Sequence, residues 1–123
     1  MTSALNAIKD IIVKKEPVGS RVTCNPAPTD TDEDWLILIE ERDVTRVISK
    51  LKGFVLDNPN SHYEPANSNF NSWRDGNINL IITRDEIFYD RFLHATKIAK
   101  LLNLMLKPER VRLFQYILYG NES

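Results

Sequence analysis

The sequence predicts an α/β (α+β) fold in which helices flank a small mixed sheet. Three observations predict it. Segments with helical apolar spacing alternate with short apolar runs of strand length, Asp75-Gly76 separates two strand candidates, and a chain of 123 residues with 42% hydrophobic content suits an ordinary core. We therefore expect one domain over residues 1–123, with a core at about 4–103 and a C-terminal helix at about 108–119.

The first half of the chain predicts one helix and two strands. Apolar residues recur at helical spacing over 4–15, and Pro17 follows as a helix stop. Residues 18–23 read as a short strand, and two prolines in 24–29 predict a surface loop. The continuous apolar run 35–39 is typical of a central strand covered on both faces.

The second half predicts a helix, a hairpin and two further helices. Apolar spacing indicates an amphipathic helix over 43–56, followed by a long polar loop over 57–69. Strands at 70–74 and 77–83 are joined by Asp75-Gly76, which favours a type I′ turn.

The last two helices are predicted from their end signals. A capping box at 83–86 opens a long helix, and Pro108 and Gly120 delimit the last one. The side chains expected to face inward from the long helix are Ile87, Phe88, Phe92, Ala95, Ile98, Ala99 and Leu102.

Composition limits the classes of partner. Sixteen Lys and Arg nearly balance 17 Asp and Glu, for a net charge of -1, so any site for a polyanion must be local. A single cysteine, Cys24, suits a reducing compartment and excludes an internal disulfide. With no signal-peptide pattern and no apolar run of roughly 18 residues, we expect a cytoplasmic protein without a membrane partner.

One stretch combines a glycine turn with paired carboxylates. Asp32 and Asp34, at i and i+2 of an extended segment, point to one side and could hold Mg²⁺ or Mn²⁺ through oxygen ligands, whereas Glu33 points away. Gly19 would let backbone N–H groups approach a phosphate, because it has no Cβ. Ser20 could donate its hydroxyl and Arg21 a charge-assisted contact. This pattern predicts an NTP site.

These residues resemble the minimal nucleotidyltransferase branch of the DNA polymerase β-like superfamily. The matching segments are Val18-Gly19-Ser20-Arg21 and Thr31-Asp32-Glu33-Asp34-Trp35-Leu36-Ile37. The order of elements over 4–103 is also similar, and the chain resembles the small stand-alone nucleotidyltransferase-like proteins of bacteriophages. The resemblance implies a nucleotidyltransferase-like fold and transfer of a nucleoside monophosphate from an NTP to a hydroxyl, with two divalent metals and three carboxylates.

The resemblance places Asn79 at the position of the third carboxylate. Asparagine can ligate a cation through its carbonyl oxygen but cannot act as a general base. Two hypotheses follow. In the first, Asp32 and Asp34 hold metals beside a neutral Asn79, and the protein is a metal-dependent nucleotidyltransferase with an unknown acceptor (protein, RNA or small molecule). In the second, a catalytically impaired protein binds a nucleotide or a protein partner as a regulator.

Ordinary explanations exist for each candidate. An acidic loop before a strand is common turn chemistry, and Gly-Ser followed by Asp-x-Asp also arises by chance. Trp73 and Arg74 could contact a nucleotide or form cross-strand contacts. Packing or solvent contact is the simplest interpretation of the remaining polar candidates, which are Cys24, His62, His94, Lys107, Arg110 and Arg112. For the three basic ones, Lys107, Arg110 and Arg112, contact with nucleic acid stays open.

Overall fold

The computed structural model describes residues 3–28, 32–51, 53–56 and 70–120. The helices are α1 (Ser3–Ile8), α2 (Ser20–Thr23), α3 (Val44–Lys50), α4 (Glu86–Leu102) and α5 (Lys107–Tyr119), and a 3-10 turn (Glu41–Asp43) precedes α3. The strands are β1 (Lys14–Val18), β2 (Glu33–Leu38), β3 (Val55–Leu56), β4 (Phe70–Asp75) and β5 (Ile78–Thr83).

The five strands form one mixed sheet in the order β1-β2-β5-β4-β3. Strands β2 and β5 run parallel, and the other neighbouring pairs are antiparallel. The parallel register places Asp34 beside Asn79, and the two antiparallel registers place Val18 opposite Asp34 and Arg74 opposite Asn79. The predicted α+β class with a small mixed sheet is confirmed.

Two hydrophobic clusters cover the two faces of the sheet. On one face, apolar side chains of β2 and β5 pack against α4 and α5: Leu36, Leu38 and Ile81 with Phe88, Phe92, Ala95, Ala99, Phe114 and Leu118. On the other face they pack against α1 and α3: Ile37, Ile39, Leu80 and Ile82 with Leu5, Ile8, Val47 and Leu51. The apolar run at 35–39 is therefore a central strand covered on both sides, as predicted.

The first helix is shorter than predicted, and the first strand lies earlier in the chain. Helix α1 ends at Ile8 rather than near residue 15, and the first strand is Lys14–Val18 rather than 18–23. This strand is exposed along most of its length and lies at the sheet edge, where Pro17 is tolerated because it owes no ladder hydrogen bond on its open side. Residues Ser20–Thr23 form a helical turn instead.

The predicted helix over 43–56 is too long. The structure contains the 3-10 turn, then α3, and then the short strand β3, which pairs with β4. Gly53 has φ +88, a conformation that stops a right-handed helix, and the chain leaves it toward the sheet edge. The polar loop predicted over 57–69, with His62, lies outside the described residues.

The predicted hairpin is present, but its turn is one residue later. Asp75 pairs with Ile78, so the two turn residues are Gly76 and Asn77 rather than Asp75-Gly76. Gly76 has φ +61, and Asn77 is not among the residues with positive φ. A positive φ at the first turn residue alone fits a type II′ turn, so the predicted type I′ turn is wrong.

The N-cap of α4 is Asp85 rather than Thr83. The Asp85 carboxylate accepts hydrogen bonds from the backbone N–H groups of Ile87 and Phe88, and Thr83 Oγ1 accepts from the Asp85 N–H. The helix therefore begins at Glu86. Its buried residues include Tyr89 and Thr96, which the prediction did not name.

The buried face of α4 differs from the predicted one at its ends. Ile87 is 64% exposed and Leu102 is 59% exposed, so two of the inward residues in the prediction are wrong. The α5 prediction holds, with Pro108 in the first turn and Gly120 at the C-cap. No helix of the described segments is long and apolar enough to cross a membrane.

Candidate functional site

The site begins at the turn between β1 and α2. Gly19 has φ +83 and ψ −173, a combination that essentially only glycine adopts. Its carbonyl accepts hydrogen bonds from the N–H groups of Val22 and Thr23, so the chain turns directly from the edge strand into the helical turn. Gly19 and Ser20 therefore lie at the exit of β1 rather than within the predicted strand 18–23.

The Asp34 carboxylate lies directly against Gly19. The β1–β2 register places Asp34 opposite Val18, the residue before the glycine. A Cβ built on Gly19 would overlap Asp34 Oδ2 and would lie 2.9 Å from Asp34 Cγ. Glycine is therefore required twice, for its backbone conformation and for the space that the carboxylate occupies.

Burial makes the ionised form of Asp34 costly. Desolvation raises the pKa of this carboxyl to about 6, and the negative charge of Asp32 adds to the rise. A hydrogen bond from Asn79 and the positive charges of Arg74 and Arg21 act in the opposite direction. The carboxylate at this position is stabilised by any cation that comes close to it.

Asn79 is held between Asp34 and Ser72. Its side chain donates a hydrogen bond to Asp34, and its Oδ1 accepts one from Ser72 Oγ at 2.8 Å. Both Asn79 and Ser72 are buried, so the amide orientation follows from these two partners. The carbonyl oxygen that the sequence suggested as a neutral metal ligand faces Ser72 instead.

Arg74 forms the second polar pair of the site. Its Nη1 donates to Asp32 Oδ2 over 2.6 Å, and both side chains are partly exposed, at 31% and 41%. Because Arg74 lies opposite Asn79 in the β4–β5 ladder, the guanidinium comes from the strand on the far side of Asn79. The structure thus shows Arg74 paired with an acidic residue of the site, a contact that differs from both of the roles considered for it, and the nucleotide contact stays a prediction.

The remaining candidates lie either on the helical turn α2 or on the opposite face of the sheet. Ser20 is half-buried. Arg21 is exposed but lies close enough to Asp34 for its charge to lower the pKa of that carboxyl. Glu33 lies on the opposite face, where its Oε2 accepts a hydrogen bond from Trp35 Nε1 over 2.7 Å. Trp73 also packs on that face, against the cluster under α1 and α3, and so lies away from the site.

Sequence reasoning did not find Ser72 and gave Arg74 no partner. A signal for both was present in the hairpin. A two-residue turn at 76–77 places Arg74 opposite Asn79, and Ser72 follows on the same face of β4 by alternation. The turn position decided the partners, because moving a two-residue turn by one position moves each cross-strand partner by two residues: the predicted turn at 75–76 places Ser72 opposite Asn79, and the observed turn places Arg74 there.

The donor set suits a nucleotide-bound cation better than a metal held by protein alone. The described residues contain no group of three or more His, Cys, Asp and Glu side chains placed to hold a metal. Asp32 and Asp34 nevertheless offer two carboxylates whose charges interact, and Asp34 lies next to the Gly19 turn. Mg²⁺ commonly binds through one or two carboxylates together with substrate phosphates, so these two residues fit that ion in the company of an NTP.

The other polar candidates have structural or solvated positions. Cys24 is buried, and its Sγ accepts a hydrogen bond from Arg110 Nη1 at 3.2 Å. The same nitrogen donates to the carbonyls of Leu104 and Met105, both at 2.8 Å. Arg110 therefore stabilises the α4–α5 turn and is not part of a solvated basic surface. His94, Lys107 and Arg112 are exposed.

Comparison with known proteins identifies the fold. No protein-family profile matches the chain, and no curated protein does. The chain is similar to the crystal structure of the conserved protein GrpB from Enterococcus faecalis, with a TM-score of 0.54 and 20% sequence identity. The similarity covers 80% of this chain and 62% of GrpB, so the chain spans less than two thirds of that protein. The predicted nucleotidyltransferase-like fold is confirmed, and the bacteriophage attribution stays a prediction.

Proposed function

We propose that the chain binds an NTP together with a divalent cation, Mg²⁺ or Mn²⁺, and transfers its nucleoside monophosphate to a hydroxyl acceptor. One observation carries the proposal. The Asp34 carboxylate rests on the Cα of Gly19, so a candidate cation ligand and a candidate phosphate-binding turn meet at one point. In an ordinary acidic surface loop, we expect the carboxylates to extend into solvent rather than to pack against a glycine in a conformation that other residues rarely adopt.

Each residue of the site has a chemical role in this proposal. Asp32 and Asp34 would hold the cation, which neutralises the charge that develops on the phosphates. Because Asp34 fills the space beside Gly19, a phosphate would meet the turn through its backbone N–H groups, and Ser20 and Arg21 offer a hydroxyl and a guanidinium on the helical side of the turn. The residues keep the triphosphate and the attacking hydroxyl aligned, which is the main requirement of this chemistry.

A second function is favoured by the polar pairs of the site. Asn79 lacks the negative charge and the basicity of a carboxylate, and Asp32 is already paired with Arg74. A protein with these features could bind a nucleotide without turnover and pass the bound state to a protein partner as a regulator. Turnover separates the two functions, because both require the nucleotide site.

Thermal unfolding with each NTP, with and without Mg²⁺ or Mn²⁺, tests the shared nucleotide site. We expect a metal-dependent rise in Tm that Asp32→Ala/Asp34→Ala abolishes, because a ligand at 100 times its Kd stabilises by about 2.7 kcal/mol. Glu40→Ala/Glu41→Ala is the matched control, since it removes the same charge from exposed positions beyond the other end of β2.

Pyrophosphate release then separates catalysis from binding. Release that requires the metal, Asp32 and Asp34 supports nucleotidyl transfer. A Tm shift without release, in the presence of hydroxyl acceptors of the three classes, supports the regulator. The absence of a Tm shift with every NTP would contradict both functions.

A further inference from the structure

Arg74 brings a positive charge beside Asn79, the position at which the resemblance implies a third negative charge. The superfamily pattern implies three carboxylates and two metals. In this chain the described site has two carboxylates, Asp32 and Asp34, with a neutral amide and a guanidinium beside them. The site is therefore much less negative than the pattern requires.

The position of the Arg74 guanidinium depends on the strand order of the sheet as well as on its ion pair with Asp32. Arg74 extends from β4 at the position opposite Asn79, so its side chain must cross β5 to reach Asp32. Asn79, which lies between the two, is itself fixed by its hydrogen bonds with Ser72 and Asp34. The 2.6 Å contact with Asp32 Oδ2 is a charge-assisted hydrogen bond of short length.

We propose that Arg74 takes the place of one of the two cations, so that the site accepts a single divalent cation with its NTP. This inference rests on the proposed function. An arginine stays charged at every accessible pH, and it forms directional hydrogen bonds to carboxylates and phosphates alike. The two carboxylates and the Arg74 guanidinium sum to a single negative charge, and Arg21, whose charge also reaches Asp34, reduces it further. One nucleotide-bound divalent cation satisfies this charge, and a second would overcome it.

Electrostatics sets the size of the effect that Arg74 should have on cation affinity. The interaction between two charges about 4 Å apart is roughly four times weaker in water than near a protein surface, because the effective dielectric constant is higher in water. The partial exposure of Asp32 and Arg74 places the pair toward the weaker limit. We therefore expect Arg74→Ala to raise the affinity of the nucleotide-free protein for Mn²⁺ by about tenfold.

The first test titrates nucleotide-free protein with Mn²⁺ and follows the free ion by electron paramagnetic resonance. Arg74→Ala should bind Mn²⁺ about tenfold more tightly than the parent protein, and Arg74→Lys, which keeps the charge, should stay close to the parent. Arg46→Ala is the matched control, because Arg46 pairs with Asp43 at α3, outside the site. Equal affinity of Arg74→Ala and the parent would overturn the inference.

The second test counts cations per bound nucleotide. Protein is dialysed against Mn²⁺ and the α,β-methylene analogues of the four NTPs, and retained metal and nucleotide are measured. We expect one Mn²⁺ per nucleotide for the parent and two for Arg74→Ala/Asn79→Asp, which restores the third carboxylate and removes the guanidinium.

Two outcomes of the dialysis have distinct meanings. Two Mn²⁺ per nucleotide in the parent protein would overturn the inference and leave the proposed function intact. Absence of retained nucleotide would contradict the proposed function instead, and the nucleotide-free titration would still decide whether Arg74 competes with a cation.

Discussion

The two faces of strands β2 and β5 differ in how far their apolar pattern extends. Apart from Glu33 at the start of β2, the face under α1 and α3 is apolar along both strands, at Trp35, Ile37, Ile39, Ile78, Leu80 and Ile82. The face under α4 and α5 is apolar only in its second half, at Leu36, Leu38 and Ile81. In its first half the same face carries Asp34 and Asn79 beside Val18.

The difference shows where a requirement other than the stability of the fold determines the residues of the sheet. At Asp34 and Asn79, a sheet face that could have continued as core holds a costly carboxylate and a buried amide. Each polar group there has a partner, from Ser72 through Asn79 to Asp34 and from Arg74 to Asp32. Polar residues kept at core positions against the local pattern are a feature of functional sites.

Truncation of the apolar half should have the largest effect on stability. Leu36→Ala should lower the free energy of unfolding by about 3 to 4 kcal/mol, because Leu36 is fully buried and its removal leaves a cavity. Urea denaturation measures the change. Ile37→Ala, equally buried on the opposite face, should cost a similar amount, and a large disparity would show that the two clusters are not equivalent.

Addition of one methyl group at the polar half should have the next largest effect. Gly19→Ala should lower the free energy of unfolding by about 3 kcal/mol, because it adds a clash with Asp34 to an unfavourable backbone conformation. Gly120→Ala is a close control, since Gly120 has φ 79 and ψ −178 at the end of α5.

The two glycine variants separate strain from overlap. A Cβ at Gly120 meets no atom within 4 Å, so that variant should report only the backbone cost, about 1 to 2 kcal/mol. Equal losses in the two variants would show that the Asp34 side chain moves aside at no cost. Gly19→Ala should also abolish the NTP-dependent rise in Tm.

Removal of the buried charge should stabilise the metal-free protein. Asp34→Asn should raise the free energy of unfolding at pH 8 by about 2 kcal/mol, because the native carboxyl has a pKa of about 6 against an ordinary value of 3.8. In the parent, the stability conferred by protonated Asp34 is fully present below pH 3.8 and is lost as the pH rises through about 6.

The advantage of Asp34→Asn should therefore shrink as the pH falls from 8 toward 4. Denaturation of the parent and the variant over this range measures the difference, in which the other titrating groups largely cancel. Asp32→Asn is the control, because Asp32 is partly exposed and paired with Arg74. An advantage that stays constant with pH would contradict the assignment of the raised pKa to Asp34.

Loss of the hydroxyl that orients Asn79 should have the smallest effect. Ser72→Ala should lower the free energy of unfolding by about 1 kcal/mol, because it removes the donor to a buried amide oxygen. Ser49→Ala, whose hydroxyl donates to the Arg46 carbonyl on an exposed helix, should change stability by much less. Equal effects would mean that burial adds nothing to the Ser72 hydrogen bond.

Local signals in the sequence were sufficient for several elements. The apolar run at 35–39 predicted a central strand, and the pattern of α4 and the Pro108 and Gly120 signals predicted the last two helices. The mixed α+β sheet and the nucleotidyltransferase-like fold were also predictable. These features depend on side-chain periodicity and on turn residues that act within a few positions of the chain.

The sequence by itself determined that Asp32 and Asp34 share one side of a strand, because alternation is a property of the extended backbone. Only the tertiary structure decided what faces them. The edge pairing of β1 brings Gly19 against Asp34, and the hairpin register brings Arg74 to Asp32 and Ser72 to Asn79. These contacts join residues on four different elements, and the choice among possible strand pairings is a property of the whole packed sheet rather than of any one segment.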